Sequence, residues 1–515
     1  MKTVKTFILI CIAFLTAFSA SAQHDGHDHD AEKKDKKPVK IDRKPGHYKV
    51  KVKIAGFNEK ECYLGYHFAD KQYIMDTTTR SADGSYTFED NFGLEAGIYM
   101  IIMPPKNRYF EMLVDKTDQT YNIETDTLNM VKSMKVTQSD DNKHFYDYLN
   151  YINTQRESAE PLRKEYSAAK DEKQKDALKI KLDNVDKNVV NYQADVLKKY
   201  PKSMLALVMR STKDPKIPEL KKKNGDVDTL GQFTYYKSHF FDDFDFTDDR
   251  LIRTPILRQK WTRYISQLTV QHPDSISLAC DYLIERAKPN REMYKYFITE
   301  LLNEYAGSKI VGYDAVYVHL AKKYYCTTPP AADWVDQDVL ENICKDANAL
   351  DPLLLGKIAP NIKMLRIAEG TDWKQQLAAP KVSDTISLHN VKSPYTIVIF
   401  WDTECSHCQK SMPVVADFYD KYKNLGIEVF AVCTRTYTDY DACWKMIKEK
   451  NWTKWLNVGD PYMQSRYKQV YDIKTTPQMY LLDKDKRIIM KKISAEQFEK
   501  EIPRIIEMNE KKPKK

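Results

Sequence analysis

Hydrophobic and polar positions alternate along the chain from residue 48. Tyr48–Ile54 alternates strictly, and a second apolar-rich run covers Cys62–Phe68. Further short runs follow at a spacing of about ten residues: Tyr86–Phe88, Gly97–Met103, Tyr109–Val114 and Thr120–Ile123. Alternation places successive side chains on opposite faces of a strand, so the runs indicate sheets with one buried face. We predict a β-rich, sandwich-like domain over residues 46–136.

The apolar spacing becomes that of helices between residues 137 and 355. Glu157–Tyr200 is a long charged stretch with helical spacing that ends before Pro201. Three later segments continue this pattern: Asp274–Lys288, Arg291–Tyr305 and Val311–Tyr325. The aromatic and acidic segment Tyr235–Phe246 is either a ligand surface or a loop that packs its rings onto the helices, and we favour the loop. We predict a mostly α-helical domain over 137–355, and nothing in its sequence resembles a catalytic constellation.

A third pattern begins at residue 356. Thr396–Phe400 and Ile427–Val432 are apolar throughout, which is typical of strands covered on both faces of a sheet. A helix is predicted between them, over Cys408–Lys423. A hairpin and a last helix are predicted further on, at Gln478–Leu482, Arg487–Met490 and Ala495–Glu510. Strand, helix, strand, hairpin and helix in this order predict an α/β domain over residues 356–515.

The first 22 residues have the three parts of a secretory signal peptide. Lys2 and Lys5 precede an apolar run that is shorter than the ~20 residues needed to span a bilayer. Small residues follow at Ala20-Ser21-Ala22, so we expect cleavage before Gln23 and export to the periplasm, with no transmembrane segment in the remainder. Residues 23–45 then form a His- and Lys-rich linker. Its histidines have a spacing that suits a transition metal, but a flexible polar spacer is the favoured interpretation.

Composition and charge narrow the function classes. A chain of 515 residues, 42% hydrophobic and 30% charged, suits several ordinary globular domains. The formal net charge of +8 comes largely from lysines near the two ends, and no basic stripe is interleaved with aromatics. Nucleic acid is therefore not indicated as a partner. Export would place the remaining cysteines in a compartment where disulfides persist.

The motif Cys405-Ser406-His407-Cys408 lies between an apolar strand and a predicted helix. A cysteine in the first turn of a helix meets unpaired N–H groups and the positive end of the helix dipole, which favour its thiolate. Two intervening residues bring the second sulfur one turn away, so Cys405 is predicted to be the exposed nucleophile and Cys408 the buried resolving thiol. Structural zinc would need two more ligands, and none has suitable spacing nearby. The motif thus predicts a redox-active dithiol acting on protein thiols and disulfides, without metal or cofactor.

Two nearby features bear on this dithiol. His407, if charged or hydrogen-bonded to the sulfur, would stabilise the Cys405 thiolate. Thr476-Pro477 precedes an apolar strand late in the domain. From these residues alone, a cis and a trans peptide bond before Pro477 are about equally favoured. A cis bond would expose the Thr476 backbone, to which a substrate strand could pair beside the sulfurs.

Residues 356–510 resemble the TlpA/ResA-like branch of the thioredoxin superfamily. The matching residues are Gly356–Pro360, Phe400-Trp401, Cys405–Cys408, Pro413 and Thr476-Pro477. The resemblance implies a thioredoxin fold, a thiol–disulfide oxidoreductase activity and a cis bond at Pro477, and it adds Trp401 to the supporting residues of the site. More loosely, the β-rich and helical regions upstream resemble those of multidomain exported thioredoxin-like proteins of Bacteroidetes.

The chain departs from the family pattern at two positions. Where the family often has Trp before the first cysteine, this chain has Glu404, whose carboxylate would raise the pKa of Cys405 if it lay close. Three residues after the second cysteine the family often has Glu, which assists proton transfer to the buried thiol, and this chain has Ser411. We hypothesise that Glu404 replaces that acid from another direction.

The other cysteines leave alternatives open. Cys433 and Cys443 form either a second dithiol that relays electrons, or a structural bridge, or two buried free thiols, and the last interpretation is slightly favoured. Cys326 and Cys344 flank a Pro-containing loop between helices and are predicted to form a disulfide. No partner is evident for the remaining two, Cys62 and Cys280.

The leading hypothesis is a periplasmic thiol–disulfide oxidoreductase that works with an unidentified redox partner protein. The family resemblance favours reduction of protein disulfides, whereas His407 favours an oxidising potential. Potentials of related motifs span about 150 mV, or roughly 7 kcal/mol, so the direction depends on the residues around the sulfurs. The alternative is an envelope binding or assembly protein, because residues 46–355 are large enough to recognise a partner. A peroxidase is disfavoured, since a CxxC at a helix start suits dithiol exchange.

Overall fold

The fold is described from a computed structural model. It covers residues 45–117, 119–367, 373–379 and 381–510. The predicted signal peptide 1–22, its cleavage site before Gln23 and nearly all of the linker 23–45 lie outside the described residues. Among the described residues, no helix combines the length and the apolar character required to cross a membrane.

The strands nearest the N-terminus form two four-stranded sheets. They are β1 (Pro45–Ala55), β2 (Glu61–Phe68), β3 (Lys71–Thr79), β4 (Ser85–Phe92), β5 (Gly97–Met103), β6 (Arg108–Val114), β7 (Thr120–Asp126) and β8 (Lys135–Thr137). One sheet has the order β4-β1-β7-β8 and the other β3-β2-β5-β6. Alternate side chains of both sheets, among them Val50, Val52, Tyr99 and Met112, share one core. The predicted β-rich sandwich is confirmed.

Two of these strands have no counterpart in the sequence prediction. β3 lies at the edge of its sheet, and its side chains are mostly exposed, including Tyr73 and Ile74. Without a buried face, an edge strand has no reason to alternate apolar and polar residues. β8 is also an edge strand, and its three residues are too few to show a period.

Helices occupy most of the region that follows. They are α1 (Asp140–Ala168), α2 (Glu172–Lys199), α3 (Met204–Thr212), α4 (Thr229–Ser238), α5 (Pro255–Leu268), α6 (Pro273–Ala287), α7 (Arg291–Ala306), α8 (Asp314–Leu320) and α9 (Gln337–Leu350). The stretch predicted over 157–200 is divided between α1 and α2, because Asp171 caps α2 by accepting from the Gln174 N–H at 3.2 Å. The two helices pack together, with the rings of Tyr151 and Tyr192 stacked at 4.1 Å.

One prediction for this region is confirmed in part and another in full. Of the segment Tyr235–Phe246, predicted as a loop, Tyr235–Ser238 lie in α4, and the loop that follows has buried phenylalanines, with Phe241 4.9 Å from the Tyr264 ring of α5. Its rings are therefore core rather than an open ligand surface. A disulfide joins Cys326 to Cys344.

A seven-stranded sheet forms the C-terminal part. Its strands are β9 (Lys363–Ile367), β10 (Thr385–Ser387), β11 (Tyr395–Trp401), β12 (Ile427–Cys433), β13 (Leu456–Gly459), β14 (Gln478–Leu482) and β15 (Ile488–Lys491), in the order β10-β9-β13-β12-β11-β14-β15. The helices are α10 (Trp373–Ala378), α11 (Ser406–Tyr422), α12 (Tyr440–Glu449), α13 (Tyr467–Val470) and α14 (Phe498–Glu510). β11, β12 and β13 are parallel, while β14 and β15 are antiparallel to their neighbours.

Both faces of this sheet are covered. On β11, Ile397 and Ile399 enter one core with α11 and α14, and Val398 and Phe400 enter a second core on the opposite face. That arrangement explains why the central strands are apolar throughout, and it confirms the predicted α/β fold. The carboxyl ends of β11, β12 and β13 meet at one edge, so the loops that leave them lie side by side.

Contacts group the chain into two compact units. The first runs to Val270 and includes Tyr282–Tyr296, and the second comprises Gln271–Asp281 and the residues from Phe297 onward. The whole seven-stranded sheet belongs to the second unit. The domain limits predicted at residues 136 and 355 are finer than this division and stay predictions.

Candidate active site

The motif lies where β11 ends and α11 begins. Cys405 is the N-cap of α11, with an extended backbone (φ −75°, ψ 111°), and its sulfur accepts a hydrogen bond from the Cys408 N–H at 3.1 Å. Its thiol donates to the Thr476 carbonyl, also at 3.1 Å. The side chain is half-buried, so its sulfur is reachable from solvent.

Opposing effects act on the Cys405 thiol. Partial burial raises its pKa, but hydrogen bonds from the Cys408 and Thr476 side chains and from the backbone N–H groups of Cys408 and His407 outweigh it. The pKa of Cys405 therefore lies below its ordinary value. A helix start supplies such N–H groups because they have no partner within the helix.

Cys408 has the opposite environment. It lies one turn into α11 with 1% of its surface exposed. Burial, followed by its hydrogen bond to Cys405, raises the pKa of Cys408 to about 12. One sulfur of the pair is thus accessible and readily ionised, and the other is protected and protonated.

Thr476 and Pro477 approach the sulfurs from the loop before β14. The bond between them is cis, as the resemblance implied. The contact of Thr476 with Cys405 brings residues 71 positions apart into one site. β14 pairs with β11, which explains why these two loops meet.

Glu404 is exposed and pairs with an arginine. Its carboxylate forms an ion pair with Arg435 at 2.8 Å, and its side chain is 83% exposed. The hypothesis that Glu404 replaces the missing acid stays a prediction, and the ion pair identifies Arg435 as a partner of its carboxylate.

Arg435 is a site residue that sequence reasoning missed. It also pairs with Asp402 at 3.0 Å and donates from Nε to Thr403 Oγ1 at 3.0 Å. Asp402 in turn accepts from the Glu404 N–H at 2.9 Å and closes a tight turn before the motif. A signal was present, since Arg435 follows the end of β12, which pairs in parallel with β11, the strand that leads into the motif.

His407 and Trp401 lie on opposite sides of the motif. The His407 side chain is exposed. The hydrogen bond that His407 makes to the Cys405 sulfur comes from its backbone N–H and not from its imidazole ring. Trp401 is buried beneath the motif and meets the Trp452 ring edge-on at 5.7 Å. Within the described part of the chain its Nε1 has no hydrogen-bond partner.

Cys433 and Cys443 form a disulfide, which corrects the favoured interpretation of two free thiols. Cys433 is the last residue of β12, and Cys443 is in α12, with Cα atoms 6.2 Å apart. Local sequence does not reveal this proximity, because it depends on how α12 packs on the sheet. Cys62 and Cys280 are free and buried.

The described residues contain no group of three or more His, Cys, Asp or Glu side chains arranged to hold a metal ion.

Comparison with known proteins agrees with this geometry. Residues 393–488 match the family model described as thioredoxin-like. This part of the chain is a thioredoxin-like domain. Two upstream stretches match families described only as domains of unknown function, DUF4369 over residues 48–145 and DUF5106 over residues 167–349.

The thioredoxin-like domain is similar to named oxidoreductases. A thiol-disulfide oxidoreductase ResA of Bacillus cereus is 29% identical over 120 residues, which are 23% of this chain and 64% of that protein. The chain thus spans less than two thirds of the length of this relative. The resemblance to the TlpA/ResA-like branch is confirmed for this domain.

Two solved structures are also similar to the chain. A domain of a possible thiol-disulfide isomerase from Cytophaga hutchinsonii ATCC 33406 is 33% identical, covering 32% of this chain and 99% of that one, with a TM-score of 0.27. A thioredoxin-like protein from Bacteroides caccae ATCC 43185 is 17% identical, covering 57% of this chain and 98% of that one, with a TM-score of 0.40.

Proposed function

We propose that the chain is a periplasmic thiol–disulfide oxidoreductase that reduces protein disulfides through Cys405 and Cys408. The observation that carries this proposal is the contrast between the two thiols. Cys405 is accessible and has a lowered pKa, while Cys408 is buried and has a raised one. That contrast suits an attacking thiolate followed by a protected resolving thiol.

The exchange has two steps. The Cys405 thiolate attacks one sulfur of a substrate disulfide, forming a mixed disulfide and releasing the other substrate sulfur as a thiolate. Cys408 then loses its proton and attacks the Cys405 sulfur, which releases the second substrate thiolate. Two electrons pass to the substrate, and Cys405 and Cys408 become a disulfide that a redox partner protein must reduce again.

Insulin reduction by the full chain, with dithiothreitol as the electron source, tests the proposal. We expect C405S to reduce the rate to that of dithiothreitol alone, because the attacking sulfur is gone. In a separate reaction without dithiothreitol, we expect reduced C408S to accumulate a mixed disulfide between Cys405 and insulin, visible by non-reducing electrophoresis. A C405S chain that reduces insulin at the wild-type rate would rule out the proposed function.

The direction of electron flow has its own measurement. We propose reduction, and a reduction potential of the Cys405–Cys408 couple near thioredoxin's, about −270 mV, would support it. A value well above about −200 mV would instead assign an oxidase or isomerase. Equilibration with glutathione buffers of known ratio gives the potential directly.

Export is part of the proposal, and it rests on the signal-peptide pattern of residues 1–22. The expected product is a mature chain that begins at Gln23 and is released with the periplasmic fraction. Mass determination of the purified protein distinguishes this from an uncleaved chain.

A second candidate is an envelope binding or assembly protein. The observation that favours it is the size of residues 46–355, which form two sheets and many helices outside the thioredoxin-like domain. If C405S leaves the cellular phenotype unchanged while deletion of residues 46–355 alters it, this candidate replaces the first.

A further inference from the structure

The loop after β12 carries an arginine that contacts the residues before the motif. Arg435 Nη2 lies 2.8 Å from Glu404 Oε2 and 3.0 Å from Asp402 Oδ1. The Arg435 side chain is only 14% exposed, whereas that of Glu404 is 83% exposed. A largely buried guanidinium therefore pairs with the exposed carboxylate of the residue that precedes Cys405 in the chain.

The arginine itself is fixed by its surroundings. Its neighbour Thr434 donates its backbone N–H to the Trp401 carbonyl at 2.9 Å and its hydroxyl to Asp402 at 3.2 Å. The disulfide between Cys433 and Cys443 closes the chain around this loop. Arg435 thus reaches the motif from a loop that is tied to it by hydrogen bonds and closed by a covalent bond.

The ion pair with Arg435 limits the effect that the Glu404 carboxylate has on the Cys405 thiol. A lone carboxylate next to Cys405 would oppose the formation of a thiolate, because like charges repel. A carboxylate paired with a guanidinium acts on its surroundings as a small dipole, whose field weakens faster with distance than that of a lone charge. The sulfur then responds to the N–H groups of α11 and to Thr476 instead.

We propose that Arg435 is a positioning residue that holds the Glu404 carboxylate away from the Cys405 sulfur and neutralises its charge there. The inference rests on the proposed function, in which Cys405 is the nucleophile. The polar and titratable groups around Cys405 are Cys408 and His407 of α11, Asp402 and Glu404 of the preceding loop, Thr476 before β14, and Arg435.

The test is the pH profile of Cys405 alkylation by iodoacetamide in the full chain, followed by mass spectrometry. We expect R435Q to raise the midpoint and to slow alkylation at pH 7 about threefold, the change produced by a rise of about half a pH unit. E404Q should move the midpoint much less than R435Q does, because Arg435 already pairs with the Glu404 carboxylate and still pairs with Asp402 in this variant. The double variant E404Q/R435Q should recover at least half of the rise.

K421Q is the matched control. Lys421 is on the same helix and pairs with Glu499 at 3.1 Å, so the variant removes one cation and one ion pair near the other end of α11. Its midpoint should equal that of the wild type. If R435Q does not fold, R435K replaces it, and alkylation at pH 7 should then slow by less than threefold because the charge is kept.

Two outcomes overturn the inference: an R435Q midpoint equal to that of the wild type, or a double variant as high as R435Q. The midpoint is measured without any substrate. A chain that shifts as expected but does not reduce insulin therefore contradicts the proposed function alone. A chain that reduces insulin while R435Q shifts nothing contradicts the positioning role alone.

Discussion

Cys405 and Cys408 lie three positions apart but differ in exposure and in the direction of their pKa shifts. Cys405 caps a helix and receives N–H groups, while Cys408 lies inside the core that the same helix helps to build. The CxxC spacing at a strand–helix junction was enough to predict which sulfur is exposed, because the first cysteine lies at the helix start and the second lies one turn further into the helix. It was not enough to place the Glu404 carboxylate, whose partner Arg435 comes from a loop beyond the next strand.

Replacing Cys408 in two ways separates its effects on Cys405. The Cys408 side chain donates a hydrogen bond that lowers the pKa of Cys405. We expect C408A to raise the alkylation midpoint of Cys405 and C408S to raise it less, because serine keeps a donor. Equal midpoints in both variants and the wild type would show that the backbone N–H groups suffice.

The loop between β12 and α12 carries Arg435 and is closed by a disulfide. Its disulfide restrains a segment that carries Arg435, so the element fixes where the side chain lies. The sequence left three interpretations of Cys433 and Cys443 open, because spacing along a chain does not report packing of a helix on a sheet. The structure shows that Cys433 and Cys443 form a disulfide.

Removal of this disulfide is expected to weaken both stability and positioning. We expect C433A/C443A to lower the free energy of unfolding by about 2–4 kcal/mol, since the cross-link restricts the unfolded chain. The Cys405 midpoint should also rise, because Arg435 is released. C326A/C344A is the control: it should lower stability by a similar amount and leave the midpoint unchanged. A C433A/C443A chain with wild-type urea unfolding would contradict the structural role.

Buried tyrosines and thiols give the whole molecule a predictable response to alkaline pH. Burial raises the pKa of Tyr325 and Tyr480 to about 12, and it does the same for Cys62 and Cys408. In the unfolded chain such groups ionise at about 8.5 for Cys and about 10 for Tyr. Between these values the unfolded state binds fewer protons than the folded state, so stability falls as pH rises.

Urea unfolding between pH 7 and pH 11 checks this response. The unfolding midpoint should be nearly constant up to about pH 8 and fall progressively above about pH 9, where free thiols begin to ionise in the unfolded chain. Y480F should reduce the fall, because phenylalanine cannot ionise. A midpoint that is flat to pH 11 would show that these groups do not remain protonated in the folded chain.

Whether the thioredoxin-like domain carries out the exchange by itself is also testable. If the thioredoxin-like domain alone carries the exchange, residues 356–515 expressed separately should reduce insulin with a kcat/KM within about twofold of the full chain. Circular dichroism must first show that this part folds. A large loss in the folded fragment would mean that residues 46–355 contribute to the reaction.

The sequence by itself determined the architecture and the position of the CxxC pair at a strand–helix junction. Periods of two and of about 3.6 residues are local properties, so the sandwich, the helices and the α/β order could be read from them, and so could the dithiol at a strand–helix junction. The tertiary structure alone decided the exposed edge strand β3, the Cys433–Cys443 bridge and the pairing of Arg435 with Glu404. The edge strand β3 shows no alternation because neither of its faces is buried. The bridge and the ion pair depend on how the loop after β12 and the helix α12 pack at the carboxyl ends of the parallel strands.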